Sequence, residues 1–108
     1  MVRVLLYRGR DGSLSGFEVN GHASYAPHGE DIVCAAVSIL AQTTALSLQK
    51  VVGIELWVHV EEGNLQCRLP DLLSEEEQKD ANLLLNSMIL GLEETWRSYP
   101  DYLEIKYK

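Results

Sequence analysis

Only two cysteines stand among these 108 residues, Cys34 and Cys67. That is too few for a disulfide framework, so both are expected as reduced thiols, and what matters is whether either is reactive. Prolines number three, and no stretch is dominated by Gly, Pro or Ser. No linker, repeat array or low-complexity segment is therefore expected. No unbroken apolar run approaches the roughly 18 residues that would span a bilayer. From Met1 to Arg10 charge returns after a few apolar residues, unlike a secretory leader with its longer apolar centre. Basic residues are scarce too: nine Lys and Arg face sixteen Asp and Glu, a formal net charge of −7. A nucleic-acid backbone as main partner would need clustered Lys and Arg, so direct nucleic-acid binding is not expected. A basic peptide would suit that charge, and solubility alone is the simpler account of it. The expected setting is cytoplasmic, with no membrane.

What is present is ordinary for a globular protein: 46% hydrophobic and 23% charged residues. The length fits one domain, residues 1–108, able to bury roughly two-thirds of its unfolded surface. Val2 to Arg8 reads as a strand, Arg10 to Ser13 as a turn, and Leu14 to Asn20 as the returning strand. Phe17 and Val19 fall on one of its faces, Glu18 and Asn20 on the other. From Asp31 to about Lys50 the spacing predicts a helix, apolar on more than one face and so largely buried. Ile54 to Glu61 alternates as a strand, Glu62-Gly63-Asn64 turns, and Leu65 to Leu69 completes a second hairpin. Ser74-Glu75-Glu76-Glu77 is a capping box opening a helix to about Ser98, with Leu85, Ile89, Leu92 and Trp96 at 3.6-residue spacing. Leu103 to Tyr107 is a short closing strand. The order ββαββαβ predicts an α+β fold: a mostly antiparallel sheet from two hairpins plus a C-terminal strand, with two long helices packed on it.

The chemistry concentrates between Gly21 and Ser38. His22 follows the first hairpin, Cys34 stands on the expected opening turn of the first helix, and turn-forming residues lie between. A thiol and an imidazole are what a cysteine nucleophile needs. The first turn of a helix offers the positive end of its dipole and unpaired N–H groups, both of which favour thiolate and could hold an oxyanion. Asp31, Cys34, Ser38 and Gln42 recur every three or four residues, a polar stripe that costs free energy unless it is hydrogen-bonded or lines a cleft. A bland account stands beside each point. Cys34, flanked by Val33, Ala35 and Ala36, reads equally as core; His22 as a strand-end residue; Asp31 as an N-cap. Ser38 could bond the carbonyl four residues back. A metal reading takes His22, His28 and Cys34 with water as fourth ligand, but the spacing matches no familiar zinc pattern. Cys67 reads as a packed strand thiol and His59 as a surface residue.

Gly16-Phe17, Gly21-His22-Ala23, Tyr25, Gly29 and the run Asp31-Ile32-Val33-Cys34-Ala35-Ala36-Val37-Ser38 together resemble the signature of the ribosomal-processing cysteine protease family, Prp. The signature is uninterrupted here, and length and element order fit the family throughout. The resemblance implies a cytoplasmic endopeptidase acting as a homodimer, without cofactor or metal. By the same resemblance it would remove the N-terminal extension of a large-subunit ribosomal protein, the twenty-seventh of the L series. By position Cys34 would be the nucleophile and His22 the general base and then acid. Asp31, Ser38, Gly21 and Gly29 match supporting or substrate-binding positions. The loop from Ala23 to Glu30 is expected to move aside for an extended peptide. The apolar residues from Leu83 to Leu92 would serve either the core or a dimer interface. The alternative from another class is a non-catalytic ribosome-associated module that grips a basic peptide.

Overall fold

Alternating side chains in the first two strands decide which side of the sheet is dry. In β1 (Val2–Arg8), Val2, Val4 and Leu6 are buried; in β2 (Leu14–Asn20), Phe17 and Val19 are. The antiparallel register sets Val4 opposite Val19 and Leu6 opposite Phe17, so these apolar positions share one face. The computed structural model describes residues 1–21 and 28–108, with side chains for all of these except 28–30. The second hairpin, β3 (Trp57–Glu61) and β4 (Asn64–Arg68), adds Leu65 and Cys67 to the dry face by pairing β4 with β2. Finally β5 (Leu103–Tyr107) joins the other edge of β1 in parallel, burying Leu103 and Ile105. The sheet order is β3-β4-β2-β1-β5. The ββαββαβ order and the mostly antiparallel sheet expected from the sequence are both present.

Two helices cover the dry face. In α1 (His28–Ser47) the buried stripe is Val33, Val37, Ala41 and Ala45, close to one residue per turn. A π-helical segment, Leu48–Val52, carries the stripe on through Leu48 and ends at Gly53 in the left-handed region. In α2 (Glu75–Ser98) the stripe is Ala81, Leu85, Met88 and Leu92. Ser74 caps α2 as expected: its Oγ accepts from the Glu77 N–H at 3.1 Å, while Glu77 Oε1 accepts from the Ser74 N–H at 2.9 Å. Each fully buried large side chain, such as Phe17, Leu6 or Leu92, contributes about 1.5–3 kcal/mol by leaving water.

Four expectations need correction. The first helix begins at His28, a turn before Asp31. It is also not buried on several faces: Ile39 is 65% exposed, and Ile32 and Leu46 are exposed as well. Trp96, expected on the core stripe of α2, is 40% exposed. The third strand starts at Trp57 rather than Ile54. Ile54 and Leu56 are buried and Glu55 exposed, so the alternation is real, but the partner strand ends at Arg68, opposite Trp57. From Asp31 to Val52 the helix reaches a mean hydropathy of 1.6 over an 18-residue window, long and apolar enough to cross a membrane by length and composition. Here the buried stripe of that helix closes the core against the sheet.

Candidate active site

The polar stripe on α1 opens into a cleft. Cys34, Ser38 and Gln42 form one wall, and Val19, Gly21, Val60, Glu61, Gly63, Asn64 and Leu65 the other, around a volume of about 140 Å³. Spacing of four residues per step puts the three α1 side chains on one face, as the sequence predicted. Asp31 does not belong to this wall: it is exposed and sits inside the helix, so its reading as an N-cap does not hold. Gly29 lies in the first turn of α1. Whole small-molecule sites run to about 300–1,000 Å³; this cleft instead suits one or two side chains of a peptide. Larger clefts occur elsewhere, such as the one of about 600 Å³ between the β1–β2 turn and Pro70, but its walls hold no thiol.

Cys34 is half-buried and packs against the core beside Gly21. The approach is close: a β-carbon placed on Gly21 would lie 3.2 Å from Cys34 Sγ and 3.6 Å from Val2 Cγ2. The end of β2 therefore meets the thiol through a residue without a side chain. Because α1 begins at His28, Cys34 is its seventh residue rather than a first-turn one. An amide that deep in a helix bonds the carbonyl four residues back, and the dipole acts mainly within the first turn. The expectation that the helix start itself activates the thiol and supplies its oxyanion donors is not met at Cys34. His22 and the loop stretch 22–27 lie outside the described residues, as does the side chain of His28, so the metal reading rests on atoms outside them too.

Cys67 is the opposite kind of thiol. It points into the core from β4, 1% exposed, and burial pushes its pKa up to about 11. Of the two cysteines, only Cys34 faces a cleft.

On the outer side of the sheet a polar network ties the strands that carry the cleft. The Glu18 carboxylate accepts from the Tyr7 hydroxyl at 3.1 Å, from Asn64 Nδ2 at 3.2 Å and from Gln66 Nε2 at 2.6 Å. Asn64 Nδ2 also donates to Asn20 Oδ1. Partial burial alone would push the Glu18 carboxyl up; the three donors and the nearby Arg68 guanidinium outweigh it and hold the carboxyl below its ordinary range. Burial, with Glu18 beside it, moves the Tyr7 hydroxyl the other way, up, and the Arg68 guanidinium stands 5.2 Å over its ring. His59 is exposed as expected, stacked at 6.1 Å on Trp57 and 3.0 Å from Glu61 Oε1.

Sequence reasoning missed Glu61, Gly63 and Asn64, which it read only as part of a hairpin. Nothing local marks them. They reach the site because β4 pairs with β2, setting Asn64 opposite Asn20 and the turn beside Gly21.

A cleft-facing thiol, held on a helix against the end of a strand in an α+β fold of this order, defines the class of the cysteine proteases once its relatives are set beside it. The model of the family described as cysteine protease Prp matches residues 1–104. The chain belongs to that family. It is 32% identical over 107 residues to the ribosomal processing cysteine protease Prp of Bacillus subtilis (strain 168), covering 97% of this chain and 96% of the relative. The crystal structure of the ribosomal processing protease Prp from S. aureus in complex with a substrate peptide shares the fold, with a TM-score of 0.88 at 21% identity over 100% of both chains. SMU.848 from Streptococcus mutans gives 0.84 at 25% identity, covering 99% of this chain and 93% of that one. The chain is thus an enzyme, a cysteine protease, and the non-catalytic module is set aside.

Proposed function

We propose that this protease removes the N-terminal extension of a large-subunit ribosomal protein, the twenty-seventh of the L series, using Cys34 as nucleophile and His22 as its acid–base partner. One observation carries the site assignment: Gly21 lies against Cys34 Sγ. His22 follows directly in the sequence, so it is joined to the glycine that lies against the sulfur. His22 takes the thiol proton as Cys34 attacks the scissile carbonyl, then passes it to the leaving amine. The resulting thioester is cleared by water, with His22 again as base. Ser38, one turn along the cleft wall, is assigned to substrate contact and Asp31 to support of His22. Gly21 leaves room for Cys34 Sγ, and Gly29 is assigned to substrate binding.

The substrate class rests on the relatives: the Bacillus protein is named for ribosomal processing, and the S. aureus enzyme is described with a substrate peptide and with a covalently linked product peptide. A net charge of −7 suits a basic ribosomal peptide. The enzyme works in the cytoplasm as a homodimer, the exposed apolar outer faces of α1 and α2 supplying the surface for a second copy. The test is cleavage of the extended ribosomal protein followed by mass spectrometry. Cys34→Ala and His22→Ala should abolish trimming while the peptide still binds. Trimming by Cys34→Ala at the wild-type rate would overturn the assignment.

A further inference from the structure

Among the described residues, a backbone approach joins the cleft to a turn far away in sequence. The Gly21 N–H donates to the Gly63 carbonyl at 2.9 Å. In return Gly63, with φ at +75°, lets the Gly21 carbonyl come so near that a β-carbon on Gly63 would stand 2.5 Å from its oxygen. Real β-carbons essentially never come within 3.0 Å, so any side chain at Gly63 must open the pair by half an ångström or more. The contact is backbone against backbone and has no flexible side chain to give way. On the outer face the adjacent Asn64 holds Asn20 and Glu18 through its side-chain amide. The turn therefore grips the end of β2 from both sides, and Gly21 in turn lies against Cys34 Sγ.

We propose that Gly63 is a positioning residue for the cleavage reaction: through its clamp on Gly21 it sets where the chain enters His22 relative to Cys34. The proposal rests on the Cys34–His22 reading and adds to it a third element, the β3–β4 turn, which meets the end of β2 through Gly21. Nucleophilic attack is sensitive to such placement, because misplacement by about 1 Å can cost on the order of 100-fold in rate. Gly12 and Gly53 provide internal controls. Both have φ at +86°, yet a β-carbon on either would meet nothing within 4 Å. Alanine there imposes the backbone strain of a left-handed residue without pushing on Gly21.

The experiment compares Gly63→Ala, Gly12→Ala, Gly53→Ala, Asn20→Ala and Cys34→Ala on the extended ribosomal-protein peptide, with kcat, KM and the pH profile of kcat/KM, below the lowest melting temperature. Gly63→Ala should lose about 100-fold in kcat at a KM within about threefold of wild type, with a displaced limb in its pH profile. Gly12→Ala and Gly53→Ala should keep kcat within about threefold despite similar losses in melting temperature. Asn20→Ala loosens the clamp from the outer face without entering the cleft. It should lower kcat about fivefold, the worth of one ordinary hydrogen bond, which keeps the question decidable if Gly63→Ala does not fold. Gly63→Ala with wild-type kcat and pH profile, or Asn20→Ala with wild-type kcat where Gly63→Ala does not fold, overturns the positioning role while an inactive Cys34→Ala leaves the dyad standing. So does a kcat loss in Gly12→Ala as large as that in Gly63→Ala. Continued trimming by Cys34→Ala removes both.

Discussion

Replacing Cys34 by alanine leaves Cys67 as the sole thiol, and iodoacetamide then reads how well the sheet conceals it. At pH 8 a thiol titrating at about 11 is ionised to about one part in 1,000, against about one part in four for an ordinary thiol near pKa ~8.5. The more basic thiolate is intrinsically more nucleophilic, which returns about tenfold of that deficit. Ionisation alone thus slows Cys67 by about 20-fold. Access matters more. Its side chain is 1% exposed between β2 and β3, so the reagent must wait for an opening of core strands. Such an opening costs close to the global stability, about 5 kcal/mol at the low end, or about 1 molecule in 5,000 at a time. A thiol reached through such an opening has its ordinary pKa, so the two factors do not multiply, and alkylation is predicted to be about 5,000-fold slower than in urea-unfolded protein, followed by intact mass at pH 8. The wild type should take up one equivalent at Cys34 and the second only on unfolding. Labelling of folded Cys34→Ala within about tenfold of the unfolded rate would refute the reasoning, and with it the division of the two thiols into one working and one structural.

Three further outcomes follow from the packing. Glu18→Gln removes the charge that three donors and Arg68 address, and should cost about 1–2 kcal/mol at pH 7 on this half-exposed face. The folded carboxyl titrates below its unfolded value near 4.5, so that stability is present above pH 4.5 and fades as pH falls through the folded value. Urea titrations showing the same wild-type-to-variant gap at pH 3 and pH 7 would contradict it. Ser74→Ala removes the Oγ arm of the capping box, leaving the backbone N–H of residue 74 to Glu77, and should cost about 1 kcal/mol, read as a melting temperature lower by about 4–6 °C; an unchanged melting temperature would count against the cap. Ile39→Glu with Leu90→Glu charges two side chains that are 65% and 64% exposed on the outer helix faces. Sedimentation should show monomers, with melting of the single chain little altered; a dimer that persists would place the interface elsewhere.

Local signals carried much of this structure. Period-two alternation at Phe17 and Val19 and the Ser74–Glu77 pair each depend on neighbours within a few residues, and both are present in the fold. The stripe of Cys34, Ser38 and Gln42 was legible for the same reason, since helical spacing alone sets which side chains share a face. The start of α1 was misplaced because Pro27-His28-Gly29-Glu30 has the composition of a turn, and Gly29 is a poor helix former whose local preference tertiary packing overrode. Ile39, Leu46 and Trp96 were read as buried because periodicity reports an apolar face without saying what covers it. The other half of the cleft was out of reach in principle. Gly63 meets Gly21 only because β4 lies between β3 and β2, an arrangement made by pairings more than forty positions apart, for which no window of sequence holds a sign.

The parallel pairing of β1 with β5 has its own consequence for how the molecule is made. Val2 finds its neighbour only at Leu103, so during synthesis the first strand waits with one edge bare until about a hundred later residues have left the ribosome. Every described residue of the cleft wall belongs to the stretch from Val19 to Leu65, and none needs β5 directly. Growth on the ribosome thus completes the chemistry's surroundings early and seals the opposite flank last. In the interval the naked edge of β1 is where a nascent chain would stick to its neighbours, and shortening the chain before Leu103 would make that exposure permanent.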